Sequence, residues 1–192
     1  MASTAAPFGA RPVNTMSASG SFTGKVQHIK IASGYATDIF NGDFVKLVSG
    51  GTVEKDSGTS TLTSIGIFLG VKYTDPNTNQ LTFNQRYPAS TAASDIFAYV
   101  LTDPDVVFLM QADGAIAQTA IGANFDVIQT AGSTSIGNSK NAVDADSVAT
   151  TNTLPLRIYD FFDGPESSIG DSFTDALFIF NAGHQYRNTT GV

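Results

Sequence analysis

The chain holds two histidines, His28 and His184, and a Ser-His-Asp hydrolase needs one of them held between a nucleophile and a carboxylate. His28 lies in an alternating run and His184 far from it, and no G-x-S-x-G elbow accompanies either. The closest string, Gly132-Ser133-Thr134-Ser135-Ile136-Gly137, has one residue too many before its central serine. Gly20-Ser21-Phe22-Thr23-Gly24-Lys25-Val26 imitates a phosphate loop but is one residue short. It also places Val26 where a hydroxyl must ligate magnesium. Glutamate occurs only at positions 54 and 166, so paired-carboxylate chemistry falls to Asp103 and Asp105 around Pro104, or Asp160 and Asp163. Glycosidase chemistry needs two such groups facing each other across about 5 to 9.5 Å, whereas aspartates at turns ordinarily accept backbone hydrogen bonds. Asp144, Asp146, Asn138 and Asn141 offer oxygen ligands for calcium without the D-x-D-x-D-G register. Two distant histidines and no cysteine make no zinc pattern, thiolate site or disulfide. The Asn188-Thr189-Thr190 sequon is expected by chance in a threonine-rich chain. The expectation is a protein that is not an enzyme, with no catalytic residue, cofactor or metal.

Composition points the same way. Charged residues make up 14% of the chain, against about 25% in an average domain, so short neutral polar side chains cover much of the surface. Such a surface is either consumed in an assembly or hydrated by its many hydroxyls and amides. Ten scattered basic residues against 17 acidic ones, and a pI near 4.5, argue against nucleic acid as a partner. Met1 to Gly20 lacks the basic and apolar regions of a signal peptide, and no apolar run approaches the roughly 18 residues of a membrane helix. A soluble protein with no membrane partner is expected.

The elements that must position any site are strands. Residues 1–21 are rich in small residues with two prolines and no period, which reads as an extended arm. The arm is either a disordered tail or a segment ordered by lying across a neighbouring subunit, with Phe8, Arg11, Pro12 and Met16 as its anchors. From residue 22 to 192 the body shows short runs of Val, Ile, Phe, Tyr and Thr broken by Gly, Asn, Asp or Pro. Strands are expected at Lys25–Ile31, Phe44–Val48, Thr52–Lys55, Ile65–Tyr73, Leu81–Arg86, Ile96–Leu101, Val106–Gln111, Phe125–Gln129, Leu154–Phe161 and Ala176–Asn181. Ser49-Gly50-Gly51 predicts a hairpin, because glycine supplies the positive φ that tight turns demand. At most one or two short helices are expected, near Thr37–Phe40, and residues 130–153 read as a long loop. Ile65–Val71 and Val106–Met110 are apolar on both faces, which calls for burial inside the monomer or for a subunit interface. The fold class is all-β, a barrel, β-tulip or sandwich body.

Phe40-Asn41-Gly42-Asp43-Phe44-Val45-Lys46-Leu47-Val48-Ser49-Gly50-Gly51-Thr52-Val53, followed by Ser64-Ile65-Gly66-Ile67-Phe68-Leu69-Gly70-Val71, resembles the "G-D-x-V…G-G-x-V…I-G-(I/V)-x-x-G" signature of head-decoration (capsid cement) proteins of tailed bacteriophages. Asp103–Gln111 and Phe180–Val192 look similar to structural proteins of marine and cyanobacterial phages. The resemblance implies a virion protein made in the host cytoplasm and attached to the outer capsid surface, where it would stabilise the shell by bridging major capsid proteins. It further implies a homo-oligomer, a trimer before a dimer, and an N-terminal arm laid on the capsid. His184, Tyr186 and Arg187, types enriched at contact hot spots, would form the C-terminal counterpart of the arm, or else a polar tail. The alternatives are a tail, baseplate or fibre subunit, or a carbohydrate-binding β-sandwich using Tyr73, Tyr87 or Tyr159.

Overall fold

The computed structural model describes residues 4–16, 24–162, 164–165, 167–187 and 191. Its strands are β1 (Arg11–Thr15), β2 (Val26–Lys30), β3 (Phe44–Leu47), β4 (Val53–Lys55), β5 (Gly66–Thr74), β6 (Leu81–Asn84), β7 (Phe97–Leu101), β8 (Val106–Gln111), β9 (Asn124–Ile128), β10 (Ala142–Ala149), β11 (Leu156–Phe161) and β12 (Asp175–Phe180). Every expected strand is present and the molecule is nearly all-β. The helix expected near Thr37–Phe40 is not there: Ile39 instead forms a bridge with Tyr87. The helical element among the described residues is a 3-10 turn at Gln118–Ala120. β1 and β10 fall where the sequence suggested an arm and a loop. The loop reading of 130–153 is therefore corrected, since β10 pairs with β9 from Ala142↔Ile128 onward.

The strands form two six-stranded antiparallel sheets. Sheet A has the order β1-β8-β12-β11-β9-β10. It curls, because a parallel bridge from Ala112 to Val143 brings the end of β8 onto β10. Sheet B has the order β2-β7-β5-β3-β4, with β6 beside the far half of β5. The inner residues of sheet A, among them Phe108, Met110, Phe125, Leu156, Ile158 and Phe178, share one core with Phe44, Ile67 and Leu101 of sheet B. Phe44 meets Phe108 and Phe180 at ring-centroid distances of 6.0 and 5.5 Å, both edge-on, a geometry that adds to the gain from area alone.

A second core lies on the other face of sheet B, where Val45, Phe68, Val71, Ala98 and Val100 pack beneath Ile31, Ile39, Tyr87 and Ile96 from loops. The doubly apolar run at 65–71 is thus covered on both sides by its own chain. Gly66 makes this possible: a Cβ there would collide with the backbone carbonyl of Leu101 on β7. Gly66→Ala should therefore push two hydrogen-bonded strands apart and destabilise by about 1–3 kcal/mol, read as a lower urea midpoint at unchanged slope.

The Asn41-Gly42-Asp43 turn ties the sheets together. The Asp43 carboxylate is fully buried. Its Oδ1 accepts the Ser139 hydroxyl at 2.6 Å and Asn141 Nδ2 at 3.3 Å. Its Oδ2 accepts the Phe40 N–H at 2.9 Å and faces Lys55 Nζ at 3.0 Å. Gly42, at φ +90, donates its N–H to Phe68 and accepts that of Ala10. A buried charge is tolerated only with such full pairing.

Candidate functional site

Residues 4–16 lie on the body of their own chain. Gln111 on β8 holds the first of them, its Oε1 accepting the Ala6 N–H at 2.7 Å and its Nε2 donating to the Thr4 carbonyl at 3.3 Å. Gly9 donates to Asn141, Ala10 to Gly42 and Met16 to Asp105, and between them β1 runs antiparallel to β8 from Arg11↔Leu109 to Thr15↔Val106. Ala10 is buried. The arm reading thus changes over these residues, which form an edge strand of sheet A because the backbone groups on the side toward β8 pair with the body. Residues 1–3 and 17–21 of that arm lie outside the described residues. Of its anchors, Phe8 and Pro12 are half-buried while Arg11 and Met16 are exposed, and the Arg11 guanidinium sits 4.2 Å above the Phe8 ring.

β1 borders an apolar strip on the outer face of sheet A. On β8, Val106, Phe108 and Met110 point into the core, so alternation turns Val107 and Leu109 to the outer face, where Val107 is covered and Leu109 half-buried. Register carries that face across the sheet: Arg11 beside Leu109, Leu109 beside Leu177, and Ile179 beside Arg157. Leu109, Leu177 and Ile179 are half-buried and Tyr159 is 48% exposed. An apolar strip is thereby flanked by two guanidinium groups, with Arg157 oriented through Nε to Asn124 Oδ1 at 3.1 Å. Val13, 46% exposed at the bulge of β1, extends the strip to the sheet edge.

β12 delivers the C-terminal set to the end of sheet A where Met16 leaves β1, since Phe178 pairs with Phe108, two residues from Val106. His184 turns back onto the body, its Nδ1 against the Leu62 carbonyl at 2.5 Å and its N–H donated to Asn181. Tyr186 and Arg187 stay exposed. Among the described residues no hydrogen bond, ion pair or ring contact joins His184, Tyr186 or Arg187 to Phe8, Arg11, Pro12 or Met16. The face between the two sets, Leu109, Leu177, Ile179 and Arg157, was missed in the sequence. Its signal was the apolar parity of Leu177 and Ile179, opposite to Ala176, Phe178 and Phe180.

The groups that suggested chemistry serve the fold. Asp103 accepts the Asp105 N–H and Asp160 accepts that of Phe161, while Asp163 lies outside the described residues. Asn138 accepts from Gln85, Asn141 belongs to the Asp43 network, and Asp144 caps the Asp146 N–H. Among the described residues no three His, Asp or Glu side chains gather as metal ligands. Tyr73 and Tyr87 are buried in the second core, so neither can stack on a sugar; Tyr159 alone of the three is open. Burial, then the neighbouring Asp144 carboxylate, push the Asp126 carboxyl above its ordinary range, with His184 opposing. The ionised form is therefore disfavoured in the fold, a penalty present above the raised value and gone below the ordinary carboxylate range. Asp126→Asn should raise the melting temperature at pH 7 by about 1–2 °C and leave it unchanged at pH 3.

Compared with protein-family models, curated proteins and solved structures, the chain matches none.

Proposed function

We propose that this chain is a structural virion protein, a head-decoration protein that binds the outer surface of a tailed-phage capsid and stabilises it by bridging major capsid proteins. The observation that carries the reading is the outer face of sheet A. There the half-buried Leu109, Leu177 and Ile179 form an apolar strip beside the covered Val107, on a chain with few charges, and Arg11, Arg157 and Tyr159 stand at its borders. Those border types are the ones enriched at contact hot spots. The resemblance of the Gly42-Asp43 and Gly66–Gly70 segments to decoration proteins supports the same assignment. An apolar face with few charges suits a subunit held at several points at once, because each further contact is made at high effective concentration.

Leu177→Asp tests it. Leu177 is half-buried on the outer face, so the variant should fold with near-native circular dichroism. In co-sedimentation with expanded shells of the encoding phage, wild-type protein should saturate at a regular copy number and the variant should bind at least about tenfold more weakly, a hot-spot loss. Wild-type protein that ignores assembled shells, or a variant that binds them equally, would refute the assignment.

A further inference from the structure

We infer that this chain holds a binding site for a single uncharged sugar ring, in the depression where Phe40 and Lys55 meet the chain around Gly132. The site shares no residue with the outer face of sheet A and does not depend on the capsid reading.

Three stretches of chain build it: the segment before β3, the end of β4, and the segment between β9 and β10. Together they enclose about 350 Å³, within the range of small-molecule sites and enough for one pyranose ring. Local bonds fix each stretch before any ligand arrives. Asn41 donates its N–H to the Gly137 carbonyl and accepts that of Ser139, which locks the first stretch to the third. The Gly137 N–H reaches the Ser133 carbonyl at 2.8 Å and closes a turn. Gly132 lies so close to the Phe40 ring that a Cβ there would stand 2.4 Å from it. Lys55 is joined to Asp43 at 3.0 Å, and Asp43 in turn to Ser139 at 2.6 Å. Binding therefore has little to order, which leaves more of each contact for affinity.

The two charged side chains that line it, Lys55 and Asp38, are already neutralised yet not exhausted. Lys55 Nζ spends one hydrogen on Asp43, and an ammonium group carries three. Asp38 Oδ1 accepts Arg86 Nη1 and the Ala89 N–H, both at 3.0 Å, while no hydrogen bond from the described residues reaches its Oδ2. An ion entering the site would have to compete with one of these pairs. A neutral ligand that donates and accepts from neighbouring atoms uses both remainders, donating to Asp38 and accepting from Lys55. Vicinal hydroxyls do this, since each oxygen is donor and acceptor together, and their bonds to charged groups are of the stronger kind. Thr37 and Thr134, both exposed on the lining, add hydroxyls that make no hydrogen bond to the described residues. The Phe40 ring supplies an apolar wall for the C–H groups of the sugar. None of Tyr73, Tyr87 and Tyr159 lines the depression, so this is not the site that those tyrosines suggested.

Nitrogen-15-labelled full-length protein titrated with the methyl glycosides of glucose, galactose and mannose, and with N-acetylglucosamine, tests the site by NMR. At least one of these sugars should shift the amide signals of Thr37, Lys55, Gly132 and Thr134 saturably and leave those of Val148 and Ala149, at the far end of β10, in place. Asp38→Asn keeps the shape and the Oδ1 acceptor but exchanges the spare oxygen for a donor. It should weaken binding about tenfold, the scale of a lost hydrogen bond to a charged group. Ala131→Trp, at an exposed lining position, should fill the depression and abolish the shifts while circular dichroism stays native. Thr37→Val, which removes only a hydroxyl, should weaken binding severalfold and serves if either of the others fails to fold. Acetate and methylammonium at the same concentrations should move these signals less than the best sugar does. The inference is overturned if no sugar of the set gives saturable shifts, if folded Asp38→Asn or Ala131→Trp binds like the wild type, or if either ion outdoes every sugar. Shell binding by Ala131→Trp reports on the capsid reading separately.

Discussion

Asp43→Ala should be among the most damaging single substitutions in the chain, with an expected loss of about 3–5 kcal/mol, the range measured when one partner of a buried ion pair is removed. The carboxylate receives the Ser139 hydroxyl, the Asn141 amide and the Phe40 N–H while neutralising Lys55. Alanine leaves three donors and the ammonium group of the mostly buried Lys55 without this acceptor, at a position with no exposure to water of its own. Lys55→Met alone should be harmful for the converse reason, an unpaired buried carboxylate. The double variant should be less harmful than the sum of the two, a coupling that a double-mutant cycle in urea measures directly. Additive losses would show that Asp43 acts through its neutral donors and not through the ion pair.

Deleting residues 1–16 should destabilise the body on a comparable scale, roughly 3–5 kcal/mol, counting about 1 kcal/mol for each hydrogen bond lost. Those bonds include Gly9 to Asn141, Ala10 to Gly42, Met16 to Asp105 and both bonds of the Gln111 amide. The deletion also strips β8 of its partner along Val106–Leu109, opening an apolar edge to intermolecular pairing. The expected result is a lower melting temperature together with greater aggregation. A truncated chain as stable as the full one would mean that the segment detaches in solution and is a free arm after all.

These two predictions mark where reading the sequence succeeds and stops. Val106–Gln111 is bounded to the residue by its own composition, since Asp103-Pro104-Asp105 makes the turn and β-branched and aromatic residues fill the strand. Gly51 at φ +70 closes the hairpin its position suggested. β1 escapes because Pro12 and small neighbours carry no period, and its pairing is supplied by β8, nearly a hundred residues away. β10 escapes because Asp144-Ala145-Asp146-Ser147 is a poor strand by propensity, and its place depends on Val127 and Ala112. Propensity yields to tertiary pairing in both cases. The site is legible in the same uneven way. Arg11 and Met16 could be picked out as isolated features of the first segment, yet the apolar strip appears only when β8, β12 and β11 are laid side by side. Gly42-Asp43 could be read as a strand-opening motif, but not as a junction, because Ser139 and Asn141 lie 96 and 98 residues further on.

The strand order of sheet A also bears on biosynthesis. β12 is inserted between β8 and β11, so before it is in place those two strands lack their shared partner, and the Ala112–Val143 bridge is left to join the β1-β8 side of the sheet to β10. Pairing of strands so far apart in sequence places the molecule among slow, nonlocal folders, whose unpaired edges on β8 and β11 are targets for chaperone capture while the sheet is incomplete.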